Sequence, residues 1–231
     1  MSTKKGALID ALQSRILTLE IAPGSALDES ALAEEFGLSR TPLREVFRQL
    51  AGQGYITLNA GRSAVAASMD FARMRQFFQT SPMIYAATTR LAAEAQGAGR
   101  IDELKAIQVA FRTKARSDDP AASALLNHRF HALIGDMADN PYLSAALDRL
   151  LIDHTRLSQM FFSPASADEL ALVDQAVADH DAMIAAIEAG AAARAVDITL
   201  SHWALSRDRM ERFVRPDPLQ DPGPLMEGTR G

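Results

Sequence analysis

Apolar residues along this chain recur in two rhythms. Between Ala7 and Leu19 they fall at Leu8, Leu12, Ile16 and Leu19, one stripe of a helix that stops at Pro23-Gly24. Asp28 to Phe36 predicts a second, short helix. Asp28 caps it, Ala31, Leu32 and Phe36 form its inner face, and Gly37 suits the left-handed position that closes it. Gly37 to Arg40 then lead into a third helix, whose start is marked by Thr41 before Pro42: a side-chain oxygen can cap while proline fills a first-turn position that needs no N–H. Leu43, Val46, Phe47, Leu50 and Ala51 make its buried face. The rhythm then changes. Tyr55-Ile56-Thr57-Leu58 is β-prone, Asn59-Ala60-Gly61-Arg62 reads as a turn, and Ser63-Ala64-Val65-Ala66 as a return strand.

Beyond about residue 69 the strand signal disappears, and helical spacing continues to Phe213 with breaks that predict roughly six helices. The breaks are Gly97-Ala98-Gly99, Asp118-Asp119-Pro120, Asn140-Pro141, Ser163-Pro164 and Gly190. Ser81-Pro82 is expected to kink or restart the first of these helices. Residues 215–231 hold four prolines and three glycines, which predicts a loose tail.

At 231 residues, 48% hydrophobic and 23% charged, the chain has the balance of a soluble globular protein with room for two modest domains. The formal charge of −5 argues against coating nucleic acid or membrane by bulk positive charge. It is unevenly spread: residues 1–68 carry seven basic and seven acidic side chains, and the remainder carries the whole deficit. A polyanion contact therefore belongs to the first segment. With no cysteine, disulfides, thiolate catalysis and Cys-type zinc sites are excluded, and any metal must use histidine and carboxylate. No stretch approaches 18 uninterrupted apolar residues, so the expectation is a cytoplasmic protein without a membrane partner.

Two helices joined by a tight Gly-containing turn make a helix-turn-helix, whose second helix can enter the major groove. Here that end reads Ser39-Arg40-Thr41-Pro42-Leu43-Arg44, followed by Arg48. With the apolar residues turned inward, Arg44 and Arg48 sit one turn apart on the outer face. Arginine can pair bidentately with guanine, while hydroxyls and unbonded N–H groups at a helix start favour phosphate. The plainer alternative is a solvated arginine face on a structural helix. The hairpin weighs against it, because it places Gly61 and Arg62 where a wing tip reaches an adjacent minor groove.

Of five histidines, His128, His131, His180 and His202 fall in three different helices of the second segment. Any one of them alone reads as an ordinary core or surface imidazole. His131, however, follows Asn127 by four residues on one helical face, His180 lines up with Met183, Ile184 and Ile187, and His202 adjoins the single tryptophan, Trp203. Three neutral imidazoles from facing helices supply a partial coordination sphere for zinc or nickel. His128 is expected to point away.

The run Leu32-Ala33-Glu34-Glu35-Phe36-Gly37-Leu38-Ser39-Arg40-Thr41-Pro42-Leu43-Arg44-Glu45-Val46-Phe47-Arg48-Gln49-Leu50, with Ile21-Ala22-Pro23-Gly24 before it and Gly54-Tyr55-Ile56 after, resembles the winged-helix signature of GntR-family bacterial transcription regulators. The resemblance implies DNA contacts from Ser39, Arg40, Thr41 and Arg44 and from Gly61 at the wing tip. The helical remainder resembles the FCD ligand-binding domain of the FadR subfamily: Asn127-His128-Arg129-Phe130-His131 and Asn140-Pro141-Tyr142-Leu143 carry the motif, and His180 and His202 match its later histidines. Implied there is a divalent metal, zinc or nickel, on Asn127, His131, His180 and His202, which helps hold a small carboxylate. Asn127 stands where the family has aspartate, which removes a negative charge and weakens the metal. Ser81 and Tyr85 align with the family's effector-binding arginine and glutamate, and Arg156, beside His154 and Thr155, is the candidate replacement cation.

The expected architecture is thus mainly α: a winged helix-turn-helix with a small β-hairpin over 1–68, an antiparallel all-α FCD-type bundle of about six helices for effector binding and dimerisation over 69–214, and a flexible tail over 215–231. The expected function is a ligand-responsive regulator, a repressor of a metabolic operon, that binds a palindromic operator in double-stranded DNA as a homodimer and answers to a small-molecule effector of the organic-acid type. Two other readings compete. One is a regulator whose pocket has decayed into a dimerisation module. The other is a metal-dependent enzyme, against which stands the lack of His-Glu-x-x-His and of any glutamate three residues before a histidine.

Overall fold

Asp28 shows how local chemistry sets the first domain: its carboxylate accepts from the N–H groups of Ser30 and Ala31 at 2.9 and 3.0 Å and so caps α2 (Glu29–Phe36). Gly37, at φ 57°, closes the same helix in the left-handed region, and the chain turns directly into α3 (Arg40–Gln53). α1 (Lys4–Leu17) lies across the pair. Leu8, Leu12 and Ile16 meet Leu32, Leu43, Val46, Phe47 and Leu50 in one core, each buried aliphatic or aromatic side chain contributing roughly 1.5–3 kcal/mol. α1 ends earlier than its apolar stripe suggests, because Leu19 adopts φ 62° and turns the chain. α2 is barely two turns long and buries only Leu32; Ala31, expected inside, is exposed.

The computed structural model describes residues 4–59 and 63–212, without the side chains of 206 and 208–212. Gly61, Arg62 and the expected tail over 215–231 lie outside the described residues. The hairpin pairs β1 (Ile56–Thr57) with β2 (Val65–Ala66) antiparallel, Ile56 opposite Ala66 and Thr57 opposite Val65, and Ala26 bridges Val65 on the far side.

The rest is helical: α4 (Phe71–Glu94), a 3-10 turn over Gln96–Gly99, α5 (Ile101–Lys114), α6 (Pro120–Met137), α7 (Pro141–Phe161), α8 (Ala167–Glu188) and α9 (Ala192–Arg212). Asp119, Asn140 and Ser166 cap α6, α7 and α8 through their side chains. Every predicted break except one separates two helices. The exception is Ser81-Pro82: α4 runs through Pro82 without interruption. Pro82 forgoes a backbone bond, but Met74, Phe77, Ser81 and Tyr85 are buried along the same helix, and that packing holds it together.

Two apolar clusters fill the bundle. One gathers Phe77, Tyr85, Phe111, Leu151, Phe161 and Trp203; the other gathers Leu104, Phe130, Ile134, Met183 and Ile187. α7 also carries the N-terminal head. Gln159 Nε2 donates to the carbonyl of Leu17 at the end of α1 (2.8 Å), and Arg156 Nη1 donates to the carbonyl of Ala67 just past β2 (2.7 Å). Among the described residues no helix is long and apolar enough to cross a membrane.

Candidate nucleic-acid interface and candidate metal centre

The inward packing of Leu43, Val46, Phe47 and Leu50 turns Ser39, Arg40, Thr41, Arg44 and Arg48 to solvent on α3. Among the described residues Arg40, Arg44 and Arg48 form no ion pair. Glu45, the one acid among them, is claimed by Lys5 of α1, which holds its carboxyl below the usual range. Arg44 and Arg48 border a concave surface of about 740 Å3 between α3 and the hairpin, with Leu58, Ser63 and Ala64 on the other wall. The cap differs from expectation. Ser39, not Thr41, is the N-cap, and its hydroxyl makes no capping bond, because the helix already begins at Arg40 and Pro42 is its third residue. The Ser39 hydroxyl and the first N–H groups of α3 therefore face outward together, an arrangement suited to an anion.

In the bundle the structure brings His131, His180 and His202 together: one nitrogen from each lies within 4.8 Å of the others, and all three are shielded from solvent. His180 sits at the seam of the two apolar clusters, stacked on Phe130 with ring centroids 3.8 Å apart and tilted against Phe111 at 4.8 Å. Asn127, one turn before His131 on α6, is buried and shares a small cavity of about 10 Å3 with His154, Ser158 and His202.

The tautomers follow from the neighbours. Gln108 Nε2 donates to the carbonyl of Val177 (2.9 Å) and to Asp181 (3.1 Å), so its oxygen faces His180 Nδ1 at 3.1 Å as an acceptor. His180 must then carry its proton on Nδ1, and Nε2 presents a lone pair. That Nε2 and the Nε2 of His131 are buried and have no hydrogen-bond partner. Burial first, and the neighbouring imidazoles second, push both rings well below the ordinary histidine range, so they are neutral near pH 7. His202 Nδ1 lies 3.4 Å from Asp179 without forming a hydrogen bond, and is likewise buried. Orphaned lone pairs on His131 and His180, with His202 converging on them, fit a divalent metal, with the orienting Gln108 behind His180.

Of the residues aligned with the effector site, Tyr85 joins the cluster. Its ring meets His131 edge-on at 5.1 Å, and its hydroxyl, which burial keeps protonated, lies 2.5 Å from His154 Nδ1. Ser81 is one turn earlier, buried, and donates to the carbonyl of Phe77 (2.7 Å). Arg156 is placed elsewhere. Two residues past His154 it faces the opposite side of α7, where it bonds Asp153 and the carbonyl of Ala67 with its side chain wholly buried. His128 points away from the metal cluster, bonded through Nδ1 to Thr155 at 2.7 Å.

Sequence reasoning passed over His154 as a cavity residue and Gln108 as the group that fixes His180. A signal existed for the first: Leu147, Leu151, His154, Ser158 and Phe161 recur at alternating four and three along α7, and all are buried. Gln108 had none, because its role depends on α8 lying against α5.

Residues 77–205 match the FCD domain model, and residues 4–65 match that of bacterial regulatory proteins of the gntR family. The chain is similar to a fatty acid metabolism regulator protein of Shewanella amazonensis, 26% identical over 172 residues that cover 65% of this chain and 68% of that protein. It is also similar to the HTH-type transcriptional repressor RspR of Escherichia coli K12, 28% identical over 165 residues, 70% of this chain and 71% of that one. Among solved structures, McbR/YncC of E. coli superposes with a TM-score of 0.77 over 93% of this chain and all of that one at 14% identity, a likeness of fold.

Proposed function

Since the chain belongs to the GntR family of bacterial regulators, with an FCD domain after its DNA-binding head, we propose that it is a ligand-responsive repressor that acts as a homodimer on a palindromic operator. The outward, unpaired arginines of α3 beside the hairpin carry this reading. Arg44 and Arg48 reach base edges in the major groove. Ser39, Arg40 and Thr41 bind phosphate at the helix start, and Gly61 and Arg62 are the candidates for a minor-groove contact. Two such heads related by a twofold axis read half-sites about one helical turn apart.

In the helical domain His131, His180 and His202 would hold a zinc or nickel ion, with the neutral carbonyl of Asn127 beside them. When bound, such an ion supplies a positive charge and an open coordination position. Three imidazoles and an amide bring no negative charge to offset it, which favours an anionic effector of the organic-acid type. His154 lines the same space, and Tyr85 packs on His131 and is hydrogen-bonded to His154. The effector acts by binding unequally to the DNA-competent and DNA-incompetent arrangements of head and bundle. Ser81 and Arg156 support this site through packing of α4 and α7. A second reading, that the pocket now serves dimerisation only, is favoured by the small cavity and by Asn127.

Metal analysis and mass spectrometry of the purified protein, together with selection of bound sequences from random DNA, test the proposal. A bound metal or acid and an enriched inverted repeat are expected. Failure to enrich any sequence would overturn the regulator reading; protein without metal that takes up neither zinc nor nickel would leave the dimerisation reading.

A further inference from the structure

A second cavity, of about 520 Å3, opens between the head and α7 and belongs to neither site above. Gln13 and Tyr55 line it from the head, His128, Asp148 and Arg149 from the helical domain. Gln13 Nε2 donates to Gln53 Oε1 (3.1 Å) on the head side, which leaves the Gln13 carbonyl oxygen to accept. Thr155 commits its single hydroxyl proton to the carbonyl of Leu151 (2.6 Å), so it can only accept from His128 Nδ1. His128 Nε2 is thereby left as an acceptor. Tyr55 is pushed up to about 12 by burial and the nearby Asp148, so its hydroxyl remains a donor.

Asp148 and Arg149 are consecutive, yet one helical step of about 100° keeps them from pairing. Neither makes an ion pair or hydrogen bond with any described residue. Burial and the acid Asp136 raise the Asp148 carboxyl, and burial and the cation Arg73 lower the Arg149 guanidinium, against the weaker opposing pull of Asp153 one turn further along α7. A cavity of this size with a few convergent polar groups is suited to a small molecule.

We propose that this cleft binds a free α-amino acid, its carboxylate on Arg149 and its ammonium shared by Asp148 and His128 Nε2. Tyr55 and Gln13 supply further hydrogen bonds from the head. The ligand spans from the C-terminal end of α3 to α7, so it bears on the angle between recognition helix and bundle without entering the histidine cluster.

The test is titration calorimetry of the full chain, treated with EDTA to empty the histidine cluster, with each of the twenty common amino acids in turn. At least one is expected to bind saturably, with Kd raised tenfold or more in both Asp148→Asn and Arg149→Gln while their melting temperatures stay at that of the parent. No heat from any of the twenty would overturn the proposal. So would binding that both substitutions leave unchanged, since that ligand sits elsewhere.

Discussion

The guanidinium of Arg149 occupies the space that a side chain on Gly54 would fill: a Cβ built on Gly54 overlaps Arg149 Nη1 and Cζ. Gly54 ends the recognition helix at φ 94°, and its N–H closes the helix on the carbonyls of Leu50 and Ala51. One glycine thus serves both the turn of the chain and the approach of the two domains. Gly54→Ala should destabilise the protein by about 1–2 kcal/mol, chiefly from the left-handed backbone, since the end of the arginine can swing aside. Pairing it with Arg149→Ala should recover only a small part of that loss in a thermal melt; full recovery would mean that the clash dominates.

Arg44→Ala removes one candidate bidentate base contact per half-site. Each is worth about 1–3 kcal/mol, so operator affinity in a mobility shift should fall at least tenfold, with the melting temperature unchanged because Arg44 is exposed and unpaired. Undiminished binding would exclude Arg44 from the interface.

Gln108→Leu should leave the His180 Nδ1 proton without its acceptor and loosen the ring. Metal affinity should drop about 10–100-fold in a competitive chelator titration, though Gln108 touches no candidate ligand atom. Asn127→Asp should move it the other way by restoring a negative charge next to His131. If neither substitution changes metal uptake, the three histidines are not the ligands.

Arg156→Met should cost about 3 kcal/mol in denaturant unfolding. It deprives buried Asp153 of one of its two cations, Arg73 at 2.9 Å being the other, and severs the bond to Ala67. Hydrogen exchange should then quicken in the head before the bundle. Equal protection in both would show that the arginine is not what docks them.

Much of this was legible beforehand where the signal is local. The cap at Asp28, the breaks at Asp118-Asp119-Pro120 and Asn140-Pro141, the left-handed Gly37 and the inward Leu43, Val46, Phe47 and Leu50 of α3 depend on residues within a few positions of one another, and the structure has them in those roles. Pro82 does not restart the helix, because the local penalty of a missing N–H says nothing about the packing that outweighs it. The same holds for Arg156: nothing near it in sequence tells which side of α7 will meet the head.

The chain by itself determined the order of helices and hairpin and the outward arginines of α3, because periodicity and capping are written over single turns, while the set of three histidines came from the family resemblance. Only the tertiary structure decided which nitrogen of His180 carries its proton, that His154 enters the histidine cavity while Arg156 turns to the head, and that a polar cleft opens over Gly54. Each of these depends on side chains roughly 70 to 95 residues apart meeting in space, and the free energy that selects those meetings is spread over the whole packed interior.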